Sequence, residues 1–238
     1  MFPTDGYPPM TQASPIELEF SRKYDHDHSV QYLNKHQDGL ARRLSHWRDV
    51  QVGRRALKLA GDPGLVLDLP CGAGRFWPML AEQPNRVILA ADNSAQMVAT
   101  ARAAQPAAVV ARVESFQTSA FAIDLGDNAV DCIFCIRLLH HIEEAKNRLA
   151  LLRELHRVTR DTVIVSLWVD GNFKAWKRRR QERQRARSGT AANYQNRFVV
   201  SKAVIEAEFA QAGFQIVGHQ DFLPTYAMWR TYTLRKVS

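Results

Sequence analysis

The spacing of apolar residues changes along this chain, and the changes mark out its elements. From Ile16 to Ala60 the segment is polar and aromatic with a helical repeat. Tyr24, His28 and Tyr32 recur at steps of four, and the run from Val52 to Leu59 leads into Gly61-Asp62-Pro63-Gly64, a turn that stops a helix. Beyond that turn, short apolar runs alternate with helix-length segments. Leu65–Leu69 is followed by a helical Phe76–Glu82, and Val87–Ala91 by Ser94–Ala104, where Ser94 supplies an N-cap. Ala108–Val113 reads as a third strand, Ala129–Ile136 as a fourth, Ala145–Val158 as a helix and Thr162–Trp168 as a fifth strand. Near the C-terminus Ser201 caps a helix through Ala212, Gly213 ends it, and Phe214–Phe222 and Met228–Arg235 read as two last strands. This order predicts an α/β fold: a doubly wound, seven-stranded, mostly parallel sheet with an antiparallel last hairpin and a helical cap.

The same pattern divides the chain. Residues 1–15 carry four prolines and few anchors and read as a flexible arm. Residues 16–60 read as an N-terminal helical cap, 61–170 with 201–238 as the α/β domain, and 171–200 as an inserted basic cap or lid. At 238 residues, 46% hydrophobic and 24% charged, the chain has the makings of one well-filled soluble domain. No apolar run reaches membrane-spanning length and no signal pattern opens the sequence, so a cytoplasmic setting is expected. Three cysteines make no disulfide framework. Cys132 and Cys135 are spaced like a metal pair but lie on a strand, where alternation puts them on opposite faces; no metal site is expected.

The formal net charge of +8 is local. Eight basic residues and one acid, Glu182, lie between Phe173 and Arg187, which leaves the rest of the chain near neutral.

Candidate chemistry begins at Asp68-Leu69-Pro70-Cys71-Gly72-Ala73-Gly74, which follows the first apolar run. A strand, a Gly-x-Gly turn and a following helix let a backbone approach a nucleotide-like ligand closely. Asp92 ends the second strand 20 residues after Gly72, where a ribose diol would be gripped. A third glycine near Trp77, which a dinucleotide pyrophosphate would want, is missing. The segment resembles motif I of the class I S-adenosylmethionine-dependent methyltransferases, commonly D-x-G-C-G-x-G, with Pro70 standing where that family usually has its first glycine. Proline fits there if the position has negative φ and needs no N–H. Asp131-Cys132-Ile133 and the following Arg137-Leu138-Leu139-His140-His141-Ile142 resemble the same family's segment after strand four.

The resemblance covers roughly residues 45–236 and implies S-adenosylmethionine as cofactor. It implies that Asp68, Pro70, Gly72 and Gly74 line the methionine moiety, that Asp92 accepts from the ribose hydroxyls, and that Asn93, Glu114 and Ser115 border the adenine. The activity it implies is methyl transfer to a small-molecule or lipid-like acceptor, with Arg137 holding an anionic group or else closing a salt bridge within the domain. His140 and His141 are candidate catalytic bases, His141 aligning with a histidine that is often structural in the family. His28, Tyr32, Trp176 and Tyr226 are candidate acceptor contacts. Phe173 and Trp176 share a helix face amid arginines, so the basic segment is open to three readings: a solvated helix, a contact with anionic lipid, or a clamp on nucleic acid. Two alternatives accompany the main reading. One is an RNA or ribosome methyltransferase using the basic lid, against which stands the lack of an N/D-P-P-Y/F tetrad after strand four. The other is a methyltransferase-like binding protein without catalysis.

Overall fold

A computed structural model describes residues 39–187 and 197–237. The arm, residues 16–38 of the cap and residues 188–196 of the lid lie outside the described residues, and His28 and Tyr32 with them. Helix α1 (Leu40–Leu59) leads into strand β1 (Leu65–Asp68), the short helix α2 (Trp77–Leu80), β2 (Val87–Asp92), α3 (Ala95–Ala104), the helical turn α4 (Ala107–Val110) and β3 (Val113–Gln117). Next come β4 (Val130–Cys135), a 3-10 turn (Leu139–His141), α5 (Ala145–Val158), β5 (Thr159–Val169), α6 (Phe173–Arg187), the two-residue β6 (Val199–Val200), α7 (Lys202–Gln211), β7 (Phe214–Asp221) and β8 (Trp229–Lys236).

The strands form one sheet in the order β3-β2-β1-β4-β5-β8-β7, with β6 added beside the end of β5. β1 to β6 pair in parallel, and β8 runs antiparallel to both β5 and β7. The sheet is therefore eight-stranded; six of the seven expected strands lie where they were expected, the third is displaced along the chain, and β6 is the addition. The apolar runs are continuous because helices cover both faces, so side chains of either parity are buried. Leu67, Ile133, Val163 and Val165 point toward Leu151, Leu155, Ile205 and Phe209 of α5 and α7. Val66, Ile88, Phe134 and Ile164 point the other way, toward Ala56, Leu57, Phe76, Met79 and Leu80. Cys132 and Cys135 fall on opposite faces, buried and unpaired, as alternation requires.

Two local expectations are corrected. The apolar stretch expected as the third strand begins with a single helical turn, Ala107–Val110. The strand itself is Val113–Gln117, whose exposed Glu114 and Gln117 give it no continuous apolar run. Ser94 caps α3 as expected, its Oγ accepting from Met97 N at 3.3 Å. Ser201 makes no such bond; Asp170 Oδ1 accepts from Lys202 N at 3.0 Å and satisfies the start of α7 instead.

α5 and α7 are locked together by one buried ion pair. Arg148 Nε and Nη2 donate to the two oxygens of Glu208 at 2.8 and 2.6 Å, and Arg148 Nη1 donates to the carbonyls of Ile142 and Glu143. Among the described residues, no helix is long and apolar enough to cross a membrane.

Candidate active site

The strand order reverses between β1 and β4: the chain runs outward through β2 and β3, then returns to β4 on the other side of β1. At such a reversal the connections leave in opposite directions and open a crevice at the carboxyl ends of the strands. Asp68 ends β1 there, Asp92 ends β2, and Arg137 follows β4.

The loop after β1 is tied on both sides. Leu69 N donates to Phe134 O at 3.1 Å and Cys71 N to Ala91 O at 2.8 Å, so β4 and β2 each hold one end of its entry. Pro70 follows a cis peptide bond. Gly72 and Gly74 have φ of 54° and 70°, the left-handed region that favours glycine. A Cβ on Gly74 would also lie 2.9 Å from the Trp77 ring, so both conformation and space require glycine.

Asp92 completes the loop. Its Oδ2 accepts from Gly72 N and its Oδ1 from Ser94 N, each at 3.0 Å. Burial pushes its carboxyl above the usual range, against the pull of these backbone N–H groups. A carboxylate oxygen has two acceptor sites, so each oxygen retains capacity for a hydroxyl donor. Asp68 is fully buried and its Oδ2 has no partner; the Trp77 indole N–H lies near it but outside hydrogen-bond geometry. Burial first, and the neighbouring Asp92 charge second, push its carboxyl well above the usual range. An orphaned buried acid of this kind suits a cationic ligand group, which would supply its missing donor and charge partner together.

At the rim, Asn93 is exposed and its carbonyl accepts from Gln117 Nε2 at 2.9 Å. Gln117 is the residue of β3 paired with Asp92, and Thr118 N donates to Asp92 O. Glu114 and Ser115 lie further back within β3, opposite Leu89 and Ala90, so Gln117 and Thr118 occupy the strand end beside Asp92.

Of a second group only Arg137 was read from the sequence, and the salt bridge weighed for it there is formed. One oxygen of Asp49, on α1, accepts from Arg75 Nη2 at 2.5 Å and from Arg137 Nη2 at 2.6 Å. Arg75 Nε donates to His46 Nδ1 at 3.0 Å. That bond assigns the neutral imidazole a proton on Nε2, which makes the outer nitrogen a donor. Burial and the Arg75 charge depress the His46 pKa, with Asp49 opposing them. Arg137 has φ of 66°, its N donates to Ser166 Oγ, and its guanidinium lies 5.0 Å from the Trp229 ring centroid. Among the described residues its Nε and Nη1 donate to no protein acceptor. His46 and Asp49, three apart on the inward stripe of α1 that continues through Val52, Gly53 and Ala56, were the sequence signal for this cluster.

The two histidines after β4 are brought together, their rings 3.9 Å apart. His140 is buried and packs against Trp229 and Trp168 at 4.6 and 5.4 Å. Its Nδ1 has no partner. Burial, then the charges of His141, Arg197 and Arg137, hold its pKa far below that of an ordinary histidine. Trp176 and Tyr226 are not at this crevice: they flank Phe173 in an outer row of rings at the start of α6.

The burial of His140 has a measurable consequence. An unfolded histidine protonates near ~6.5, while the folded one stays neutral, so the unfolded state binds the extra proton and stability falls as pH drops below ~6.5. The expected slope from this group is about 1.4 kcal/mol per pH unit. Urea unfolding between about pH 7 and about pH 5 should show a shallower loss in His140→Phe than in the wild type; parallel curves would refute it.

The strand order, the crevice and the glycine loop with its two acids define the class. Residues 66–162 match the family model described as a methyltransferase domain. Among solved structures, a magnesium protoporphyrin IX methyltransferase from Synechocystis PCC 6803 with bound SAH is similar over 90% of this chain and 96% of its own, with a TM-score of 0.71 and 18% identity. A SAM-dependent methyltransferase from Methanosarcina mazei gives a TM-score of 0.58 at 14% identity, over 73% of this chain and 92% of its own. The [4+2]-cyclase SpnF gives 0.61 at 16% identity, over 79% and 80%. These likenesses establish the fold. No curated protein matches the sequence.

Proposed function

We propose that this methyltransferase acts on a small-molecule acceptor at an oxygen that is already ionised, a carboxylate being the best fit. The observation that carries this reading is Arg137. It stands directly after β4 at the mouth of the crevice, is steadied by Trp229 and Asp49, and keeps two N–H donors unengaged among the described residues. A guanidinium with a free edge pairs with one carboxylate oxygen and leaves the other to attack.

The cofactor supplies an activated methyl group on a sulfonium. Asp68 would receive its ammonium group, the Gly72–Gly74 backbone would lie against its amino-acid chain, Asp92 would take the ribose hydroxyls, and Asn93 with Gln117 would border the adenine. With the cofactor bound, these residues would hold an acceptor oxygen in line with the carbon–sulfur bond, so that the methyl group passes to oxygen and the bonding pair is left on sulfur. A carboxylate has no proton to lose, so the reaction asks for alignment and exclusion of water rather than a base. His46 and His140 suit that requirement, the first as a donor beside Arg75 and the second as a neutral ring packed on Trp229. The Synechocystis structure supports a small-molecule acceptor to the extent that its named substrate is one.

The test is methyl transfer from labelled S-adenosylmethionine to a panel of carboxylic acids and their amides. Arg137→Leu should raise KM for the acids about 10- to 100-fold, the usual worth of a charged hydrogen bond, with a smaller change in kcat. Asp49→Asn should lower KM for the same acids, because it removes the anion competing for Arg137. Equal turnover of acids and amides, or an unchanged KM in Arg137→Leu, would contradict the reading.

A further inference from the structure

The sequence marks α6 as the most basic segment of the chain, and the fold gives that charge a particular shape. Ala175, Arg178 and Glu182 face the domain, with Arg178 paired to Glu182 at 2.9 Å and its guanidinium 5.2 Å from the Trp168 ring. Arg179 is engaged by Asp170. Lys174, Lys177, Arg180, Arg183 and Arg187 are left on exposed faces of the helix.

The start of the helix is apolar at its surface. Phe173, Trp176 and Tyr226 are 50%, 56% and 46% exposed, and Leu223 beside them is 46% exposed. The helix end is stapled to the loop that carries Tyr226: Phe173 N donates to Thr225 O at 2.9 Å and Lys174 N to Tyr226 O at 3.1 Å. The three rings therefore form one rigid row, with Phe173 at 5.9 Å from Trp176 and 5.8 Å from Tyr226. Lys174 lies 5.2 Å from the Tyr226 ring and Arg180 5.8 Å from that of Trp176. A groove of about 620 Å³ adjoins the row, walled by Phe173, Trp176, Arg180, Arg183 and Thr225.

We propose that this face docks the protein on an anionic lipid bilayer, the aromatic row and Leu223 entering the headgroup boundary while Lys177, Arg180 and Arg183 contact lipid phosphates. Half-exposed aromatic rings fixed at one end of a strongly basic helix combine the two attractions that hold proteins at such interfaces, apolar burial and attraction to negative headgroups. A bilayer takes up ring edges and leaves the stacking within the row intact. Nucleic-acid bases need ring faces to stack on, and each ring here already has another ring or a cation near it. The surface is joined to Arg137 through a chain of packed side chains. Arg178 packs on Trp168, Trp168 on Trp229, and Trp229 on Arg137.

The test is flotation of the full chain with vesicles of phosphatidylcholine alone or mixed with phosphatidylglycerol. The expected result is binding to the mixed vesicles only, weakened by salt, with a blue shift of tryptophan emission that Trp176→Phe largely removes. Replacing Lys177, Arg180 and Arg183 by glutamine should weaken binding roughly five-fold per residue. The triple variant Phe173→Ser, Trp176→Ser, Tyr226→Ser should abolish flotation at moderate salt, while its affinity for S-adenosylhomocysteine shows that it remains folded. Wild type that fails to bind anionic vesicles at low salt, a ring variant that binds as the wild type does, or RNA that binds more tightly than the vesicles and displaces them would each overturn the proposal.

Discussion

Replacing Arg148 by alanine is expected to lower the unfolding free energy by about 3–5 kcal/mol, the range for breaking a buried ion pair from one side. The pair is 6% and 7% exposed at its side chains, so the Glu208 carboxylate would be left in the interior without its forked partner. The carbonyls of Ile142 and Glu143 would lose their donor at the same time. Those carbonyls lie just beyond His141, so the turn after β4 should loosen together with the contact between α5 and α7. Against a total stability of about 5–15 kcal/mol for a typical domain, this is a large fraction. Replacing both partners, Arg148→Met with Glu208→Leu, should recover much of the loss, because no charge then remains stranded. Urea unfolding followed by circular dichroism measures both. A single variant within about 1 kcal/mol of the wild type would show that the pair contributes little.

Asp92→Ala is expected to weaken S-adenosylmethionine binding about 100-fold, the equivalent of one or two charge-assisted hydrogen bonds. Two losses combine. The ribose would lose its acceptor, and the loop after β1 would lose the side chain that holds Gly72 N and Ser94 N in place. Asp92→Asn separates them. Its amide keeps one oxygen, but its NH2 must face one of those two backbone N–H groups, so the loop is disturbed even where the ribose could still be met. Asparagine should therefore restore only a minor part of the affinity. Competition titration with S-adenosylhomocysteine measures the difference; an Asp92→Ala variant that binds within a few-fold of the wild type would rule out this anchoring role.

How much of this was legible in the sequence depended on whether the determinants were local. β1, β2 and β4 are apolar runs closed by turns, and a strand buried on both faces leaves that mark wherever it lies in the chain. β3 is a different case. Only the sheet decides that Ala107–Val110 coils while Val113–Gln117 extends, because β3 is an edge strand with polar positions. The glycine loop and Asp92 could be read because their geometry is carried by a few consecutive backbones at strand ends. Asp49 and His46 could not, since their meeting with Arg75 and Arg137 depends on how α1 lands on the sheet. Gly53 helps to set that landing: a Cβ there would lie 2.8 Å from Met79 Sδ. His140 illustrates the same limit from the other side. The sequence offers a histidine at the mouth of β4, but two tryptophans more than 25 residues downstream decide that it is buried. Phe173 and Trp176 were legible as a pair on one helix face, whereas the place of Tyr226 in their row arises from the pairing of α6 with the loop before β8.

The measurement that tests the central claim most directly is calorimetric titration of the wild-type chain with S-adenosylmethionine, with NAD as the control ligand. The expected result is one site of micromolar affinity for S-adenosylmethionine and no detectable heat for NAD, whose pyrophosphate the two-glycine loop does not accommodate. Absence of S-adenosylmethionine binding at millimolar concentration, or tighter binding of NAD, would contradict the account.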